Sequence, residues 1–153
     1  MKKIVSLALA AAAVTLSVSA QAQFAKPEDA IKYRQSALFI MAQNMGRLGA
    51  MAQGKAPFDA KVAADSASTV EFMSKLPWGA FGDGTDKGSI PTRAKAEIWA
   101  EKAKFMELSE KLQAETAKLN AAAKTGNLDS IKAAIGGVGP ACKACHDSYQ
   151  AKL

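Results

Sequence analysis

The sequence predicts an all-α protein, an antiparallel up-down-up-down four-helix bundle formed as one domain within 153 residues. Three observations predict it. Apolar residues recur at intervals of three and four along four separate stretches. Proline and glycine fall between those stretches, and the connections they mark are mostly short, so consecutive helices become antiparallel neighbours. β-Branched residues are sparse, and no stretch shows the apolar–polar alternation of a half-buried strand.

The first 22 residues read as a leader outside the bundle. Lys2 and Lys3 form a positive start, Ile4 to Val18 an apolar run, and Ala20-Gln21-Ala22 a small-residue cleavage site. The mature chain is therefore expected to begin at Gln23 and to comprise residues 23–153. As a membrane anchor the apolar run is short, about 15 residues against the roughly 20 that a span requires. No later stretch is long and apolar enough to span. The protein is expected to be periplasmic and soluble once the leader is removed.

Lys26-Pro27-Glu28-Asp29 opens the first helix, since proline fits a first turn and acids favour its positive end. Ile31, Ala37, Leu38, Met41, Met45, Leu48 and Met51 carry its apolar stripe until Gly54 and Pro57 end it, giving a helix over 27–53. Asp59 caps a second helix over 59–76, with Val62, Ala63, Ser66, Val70, Met73 and Leu76 at helical spacing and Pro77 as its stop. Residues 77–88 are rich in glycine and read as a loop. Trp78 and Phe81 sit in that loop, and two large aromatics there are expected to turn inward and wall an apolar site. Thr92 is the expected cap of a third helix over 93–124, which ends at Thr125-Gly126. Asn127 caps the fourth, with Leu128, Ile131, Ala134 and Ile135 apolar. Gly136 to Pro140 should bend or interrupt that helix before it resumes and carries Cys142 to Gln150.

The formal net charge is +6. Without Lys2 and Lys3, 18 Lys and Arg stand against 14 Asp and Glu, leaving +4. The cations are scattered, with no dense run and no interleaved aromatics, which argues against nucleic-acid binding and for solvated helix surfaces. A mild positive field can still steer acidic partners.

Cys142-Lys143-Ala144-Cys145-His146 holds both cysteines and the single histidine of the chain. C-x-x-C-H is the attachment signature of c-type haem. Each thiol adds to one vinyl group to form a thioether, and the adjoining imidazole of His146 takes the iron as proximal ligand. On a helix these residues stand at i, i+3 and i+4, on one face. The competing readings are poorer. A redox dithiol usually accompanies a βαβ pattern, a structural zinc needs four ligands where three are present, and a plain disulfide has no use for His146. The cofactor expected is one covalent haem c per chain. With no second histidine, a second protein ligand would be methionine, from Met41, Met45, Met51, Met73 or Met106. Without one, the iron keeps a position for a small gas.

With its late Cys-x-x-Cys-His, Tyr33-Arg34-Gln35, Leu76-Pro77-Trp78 with Phe81, and Ile98-Trp99, the mature chain resembles cytochrome c′, the class II c-type cytochromes. That family is itself a standing example of the up-down-up-down bundle. The resemblance implies that Arg34 pairs with a haem propionate, a role that suits a permanently charged bidentate donor. It implies that Gln35 is a neighbouring contact and that Leu38 is the distal residue over the iron, where low-spin relatives place a methionine. It also brings Thr92 and Arg93 to the haem edge. A five-coordinate high-spin haem with a crowded apolar distal face follows, one that binds nitric oxide or carbon monoxide and also takes part in electron transfer with a periplasmic redox partner. The alternative is a low-spin electron carrier ligated by Met41, one helical turn beyond Leu38. Enzymatic peroxidase chemistry needs polar distal groups, which this stretch lacks. Where many relatives carry a basic residue four positions after the histidine, this chain has the uncharged Gln150. The resemblance further implies a homodimer packed through the first two helices, with the small residues Ala63, Ser66, Ala67 and Val70 allowing close approach.

Overall fold

The computed structural model describes residues 23–152, so the leader lies outside the described residues. Four long helices form the bundle: α1 (Pro27–Ala52), α2 (Ala60–Met73), α4 (Lys102–Lys124) and α5 (Leu128–Tyr149), with a single helical turn, α3 (Glu97–Ala100), before α4. A 3-10 turn, Pro77–Ala80, opens the long connection between α2 and α4. There is no sheet among the described residues, only one isolated antiparallel bridge between Ala94 and Gln150. The bundle is a ring: α1 packs on α2, α2 on α4, and α4 on α5, while α5 returns to α1 over the thinnest contact.

Local chemistry explains the ends. Pro27 occupies the first turn of α1 with Glu28 and Asp29 beside it. The Asp59 carboxylate accepts the Val62 N–H at 3.0 Å, and the Asn127 amide oxygen accepts the Ser130 N–H at 2.9 Å, each satisfying an otherwise unpaired first-turn donor. Gly54 and Gly126 follow α1 and α4 with φ of 70° and 69°, a left-handed turn that glycine adopts without the Cβ penalty.

The third helix departs from the expected 93–124. Residues 91–96 are irregular, and Thr92 caps no helix; its Oγ1 accepts the Ala94 N–H at 3.2 Å in a local turn. Helix begins at Glu97, breaks at Glu101 (φ −115°, ψ 40°) and restarts at Lys102. The break resets the helical phase, so α4 buries Phe105, Ser109, Leu112, Thr116, Leu119 and Ala123 while Ala103 faces solvent. The second helix ends at Met73 rather than Leu76, and its Ser74 hydroxyl, fully buried, bonds that of Thr116 at 2.9 Å. α5 is not interrupted: it runs continuously through Pro140. The carbonyl four residues before that proline belongs to Gly136, which has no side chain to add to the crowding. α5 ends at Tyr149, so Gln150 lies one residue past the helix.

The small residues of α2 also correct an expectation. Ala63, Ser66, Ala67 and Val70 are buried within the chain's own core, so they pack α2 inside the bundle and are not free to meet a second copy.

Leu119, in the C-terminal half of α4, is completely buried. Leu119→Ala is expected to destabilise the fold by about 2–5 kcal/mol through lost burial and the cavity left behind, whereas Lys111→Ala on the exposed face should change it by about 0.5 kcal/mol or less. Urea denaturation of the two variants reads the difference.

Candidate haem site

The helical spacing of the C-x-x-C-H motif holds in α5, whose last turns carry Cys142, Cys145 and His146. All three line one half-open cavity of about 290 Å³ between the helices, and neither cysteine is in a disulfide. The same cavity is lined by Arg34, Gln35 and Leu38 of α1, by Trp78 and Phe81 of the long connection, and by Thr92 and Arg93. The structure thus brings all ten residues singled out from sequence to one place, together with Met41 and Gln150. The cavity forms where α1 and α5 meet over their thin contact, so one wall comes from each.

Six further lining residues were not foreseen: Phe39, Ala94, Ile98, Phe105, Leu112 and Tyr149. Phe105 is 2% exposed and packs edge-on against Trp78, Phe81 and Tyr149, with ring centroids 5.6, 4.9 and 5.3 Å apart. Such geometry sets positive ring edges against negative faces. The helical pattern that would have found Phe105 is masked by the phase reset at Glu101.

Arg34 is the charged member of the wall, and only 2% exposed. Its Nη1 donates to the Ala80 carbonyl at 2.9 Å and to Thr85 Oγ1 at 3.2 Å. Its Nη2 donates to the Thr85 carbonyl at 2.9 Å and to Thr92 Oγ1 at 3.2 Å. The guanidinium carbon lies 4.5 Å from the Phe81 ring centroid, within cation–π range. Burial pulls this group below its ordinary pKa, and Asp86 opposes the shift. Among the described residues no carboxylate lies within ion-pair distance of it. A buried cation with only neutral partners is costly, and this one borders the cavity.

Burial pushes the thiols of Cys142 and Cys145 up, Cys145 to about 11 with Cys142 adding to the shift, so both are protonated at neutral pH. Beside them the Tyr149 hydroxyl donates to Glu101 Oε2 at 2.9 Å. Lys143 and Asp147 form an ion pair on the outer side of the same helix.

The residues fit a haem. Two thiols and an imidazole share one helix face, the surroundings are largely apolar and aromatic, and a buried guanidinium stands ready for an anionic substituent. No cage of three or more His, Cys, Asp or Glu side chains exists among the described residues, so a zinc site finds no further donors there.

A four-helix bundle whose last helix presents Cys-x-x-Cys-His to a largely apolar cavity between its helices defines a c-type haem protein. A family model described as Cytochrome C' matches residues 29–150. Cytochrome c' of Rubrivivax gelatinosus is 55% identical over 130 residues, 85% of this chain and 100% of that protein. Cytochrome c' of Alcaligenes xylosoxydans xylosoxydans is 48% identical over 130 residues, 85% and 99% of the two chains. The crystal structure of the Rubrivivax gelatinosus protein superposes with a TM-score of 0.80, covering 84% of this chain and 99% of that one at 55% identity. A nitric oxide complex of a cytochrome c prime variant from Alcaligenes xylosoxidans superposes with a TM-score of 0.79, at 46% identity over 86% and 100% of the chains. The chain belongs to the cytochrome c′ family, and its cofactor is covalently bound haem c.

Burial and the bond to Glu101 push the Tyr149 phenol up to about 12. A raised folded-state pKa contributes stability that is fully present below the unfolded value near 10 and is lost as pH rises toward 12. Absorbance at ~295 nm, read as the difference between the unsubstituted protein and Tyr149→Phe, should show one phenol ionising near pH 12; ionisation near 10 would contradict the buried bond.

Proposed function

We propose that this protein is a periplasmic cytochrome c′ whose five-coordinate, high-spin haem binds nitric oxide or carbon monoxide and also takes part in electron transfer. The observation that carries the reading is Leu38. It lines the cavity from α1 while His146 lines it from α5, and an aliphatic side chain cannot ligate iron. Haem supplies a redox-active iron with a position for a diatomic ligand. Cys142 and Cys145 would hold it through thioethers, His146 would take the iron on the proximal side, and Arg34 would meet a propionate, aided by Gln35. Trp78 and Phe81 would exclude water from the haem, and Thr92 and Arg93 would lie near its edge.

Leu38 would crowd the distal side and itself offers no hydrogen-bond donor. A diatomic ligand would have to displace that side chain, so selection would be steric. The nitric oxide complex of the Alcaligenes xylosoxidans relative supports the ligand class. The same apolar wall lacks an acid–base group for peroxide cleavage, which speaks for a binding and electron-transfer protein and against an enzyme. Gln150 borders the cavity one residue past α5 and carries no charge. Residues 1–22 are read as a cleaved leader and 23–153 as the mature haem domain. No helix among the described residues is long and apolar enough to cross a membrane.

A second reading rests on Met41, which also lines the cavity and is 7% exposed. Ligation by its sulfur would make a low-spin electron carrier with a raised potential. The absorption spectrum separates the two. A high-spin spectrum that shifts on adding nitric oxide is expected; a methionine–iron charge-transfer band would replace the first reading with the second. Leu38→Ala should speed carbon monoxide association by about tenfold or more, a barrier change of roughly 1.4 kcal/mol. An unchanged rate in stopped flow would place Leu38 away from the iron.

The homodimer is proposed through α1 and α2, now by way of their outward residues. Phe39 and Ile40 of α1 and Val62 and Phe72 of α2 are exposed, Phe39 and Phe72 by 63% and 61%. Exposed large apolar side chains favour association. Sedimentation should show a dimer that Phe72→Lys converts to monomer; a monomeric unsubstituted protein would rule it out. The redox partner is periplasmic, and the mild positive charge favours one with an acidic surface.

A further inference from the structure

The segment 91–95 spans the edge of the haem cavity between the two helices that wall it. On the α1 side, Gln35 Nε2 donates to the Pro91 carbonyl at 2.8 Å and Arg34 Nη2 to Thr92 Oγ1 at 3.2 Å. On the α5 side, the Lys95 N–H donates to the Tyr149 carbonyl at 3.0 Å and the Ala151 N–H to the Arg93 carbonyl at 2.8 Å. Arg93 Nε and Lys95 Nζ add bonds of 2.8 Å each to the carbonyls of Ala151 and Ser148. The direct contact between α1 and α5 is thin, so this strap is a main mechanical link between them on that edge.

Arg34 is the centre of its α1 attachment. Four of the five guanidinium donors are committed to Ala80, Thr85 and Thr92. Aromatic rings of Phe81 and Trp99 pack over the same group, at 4.5 and 5.7 Å. A salt link to a propionate needs only a positive charge and one or two donors. The planar fork with four placed partners is more than that requires, and those partners all belong to the connection that becomes the strap.

We propose that Arg34 is a positioning residue for ligand binding: it fixes residues 80–95 as a strap between α1 and the end of α5, and thereby sets the width of the cavity between Leu38 and His146. The inference rests on the reading of Leu38 and His146 as the distal and proximal residues. It assigns Arg34 a role separate from neutralising a propionate, because that task needs charge while the strap needs the fork.

Arg34→Lys separates the two roles, since lysine keeps the charge but is a single point donor that cannot reach four acceptors in one plane. In the haem-loaded protein, hydrogen exchange of the amides of residues 82–95 is expected to be about tenfold faster or more in Arg34→Lys, the scale of two or more lost buried hydrogen bonds. Carbon monoxide association should be faster as well, with the high-spin spectrum retained. Exchange and association both unchanged in Arg34→Lys would overturn the proposal and leave charge as the sole role. Should that variant fail to assemble, Thr92→Val removes one acceptor of the guanidinium and Gln35→Met the bond to Pro91, which loosens the α1 side of the strap while Arg34 itself is kept. Faster exchange confined to 91–95 in the pair supports the proposal, and unaltered exchange there refutes it. Failure of the underlying reading is distinguishable, because it shows in the unsubstituted protein as a low-spin spectrum.

Discussion

The constraint on which the rest of the structure depends is the one-sided presentation of Cys142, Cys145 and His146 on α5. Spacing of i, i+3 and i+4 gives a single helix face, and a flat aromatic cofactor attached to that face needs a slot beside it. In a tightly packed bundle there is no slot, because side chains from facing helices interdigitate at interior density. The bundle resolves this by keeping α1 and α5 apart at one end. The space between them is walled by the long connection, through Trp78, Phe81 and residues 92–94. The length of that connection, a liability for entropy, is what makes a cavity possible in a fold whose other turns are short.

Charge inside the wall follows the same logic. A guanidinium at 2% exposure is tolerated because four oxygens and two aromatic faces replace its water. Those groups satisfy the donors without cancelling the charge, which leaves a positive site at the cavity edge. The opposite side of the bundle handles polarity differently: Ser74 and Thr116, both fully buried, pair with each other between α2 and α4. There the polar groups close on themselves, whereas at the cavity the unmatched group is the one positioned to meet a cofactor.

Much of the site was legible in the sequence because its chemistry is carried by rare residue types. A lone histidine after the only two cysteines has few meanings, and the aromatics of a glycine-rich connection have few places to go. The unforeseen residues are of ordinary types in positions whose phase was misjudged. Phe105 and Ile98 belong to a continuous helix on paper, but the break at Glu101 rotates the following turns. Nothing local announces that break: Glu101 is a good helix former, and its non-helical backbone goes with the Tyr149 bond to its side chain and with the docking of residues 93–95 on the end of α5. The inward orientation of Ala63, Ser66, Ala67 and Val70 was missed for a related reason. Small residues permit close approach to any helix, and composition cannot tell a neighbour in the same chain from one in another.

By itself the sequence determined the number of long helices, their caps at Asp59 and Asn127, the attachment motif, and the absence of a second histidine to close the iron. These are local or countable properties, set by residues within a turn of one another or by composition. Only the tertiary structure decided where α4 takes its phase, why Thr92 serves a strap and not a helix, that α5 passes unbroken through Pro140, and which oxygens hold Arg34. The Arg34 bonds and the strap depend on groups 40 to 60 residues apart, as with Arg34 and Thr92 at a separation of 58. Such contacts form only when the bundle closes, so their geometry is a property of the packed chain and not of any stretch within it.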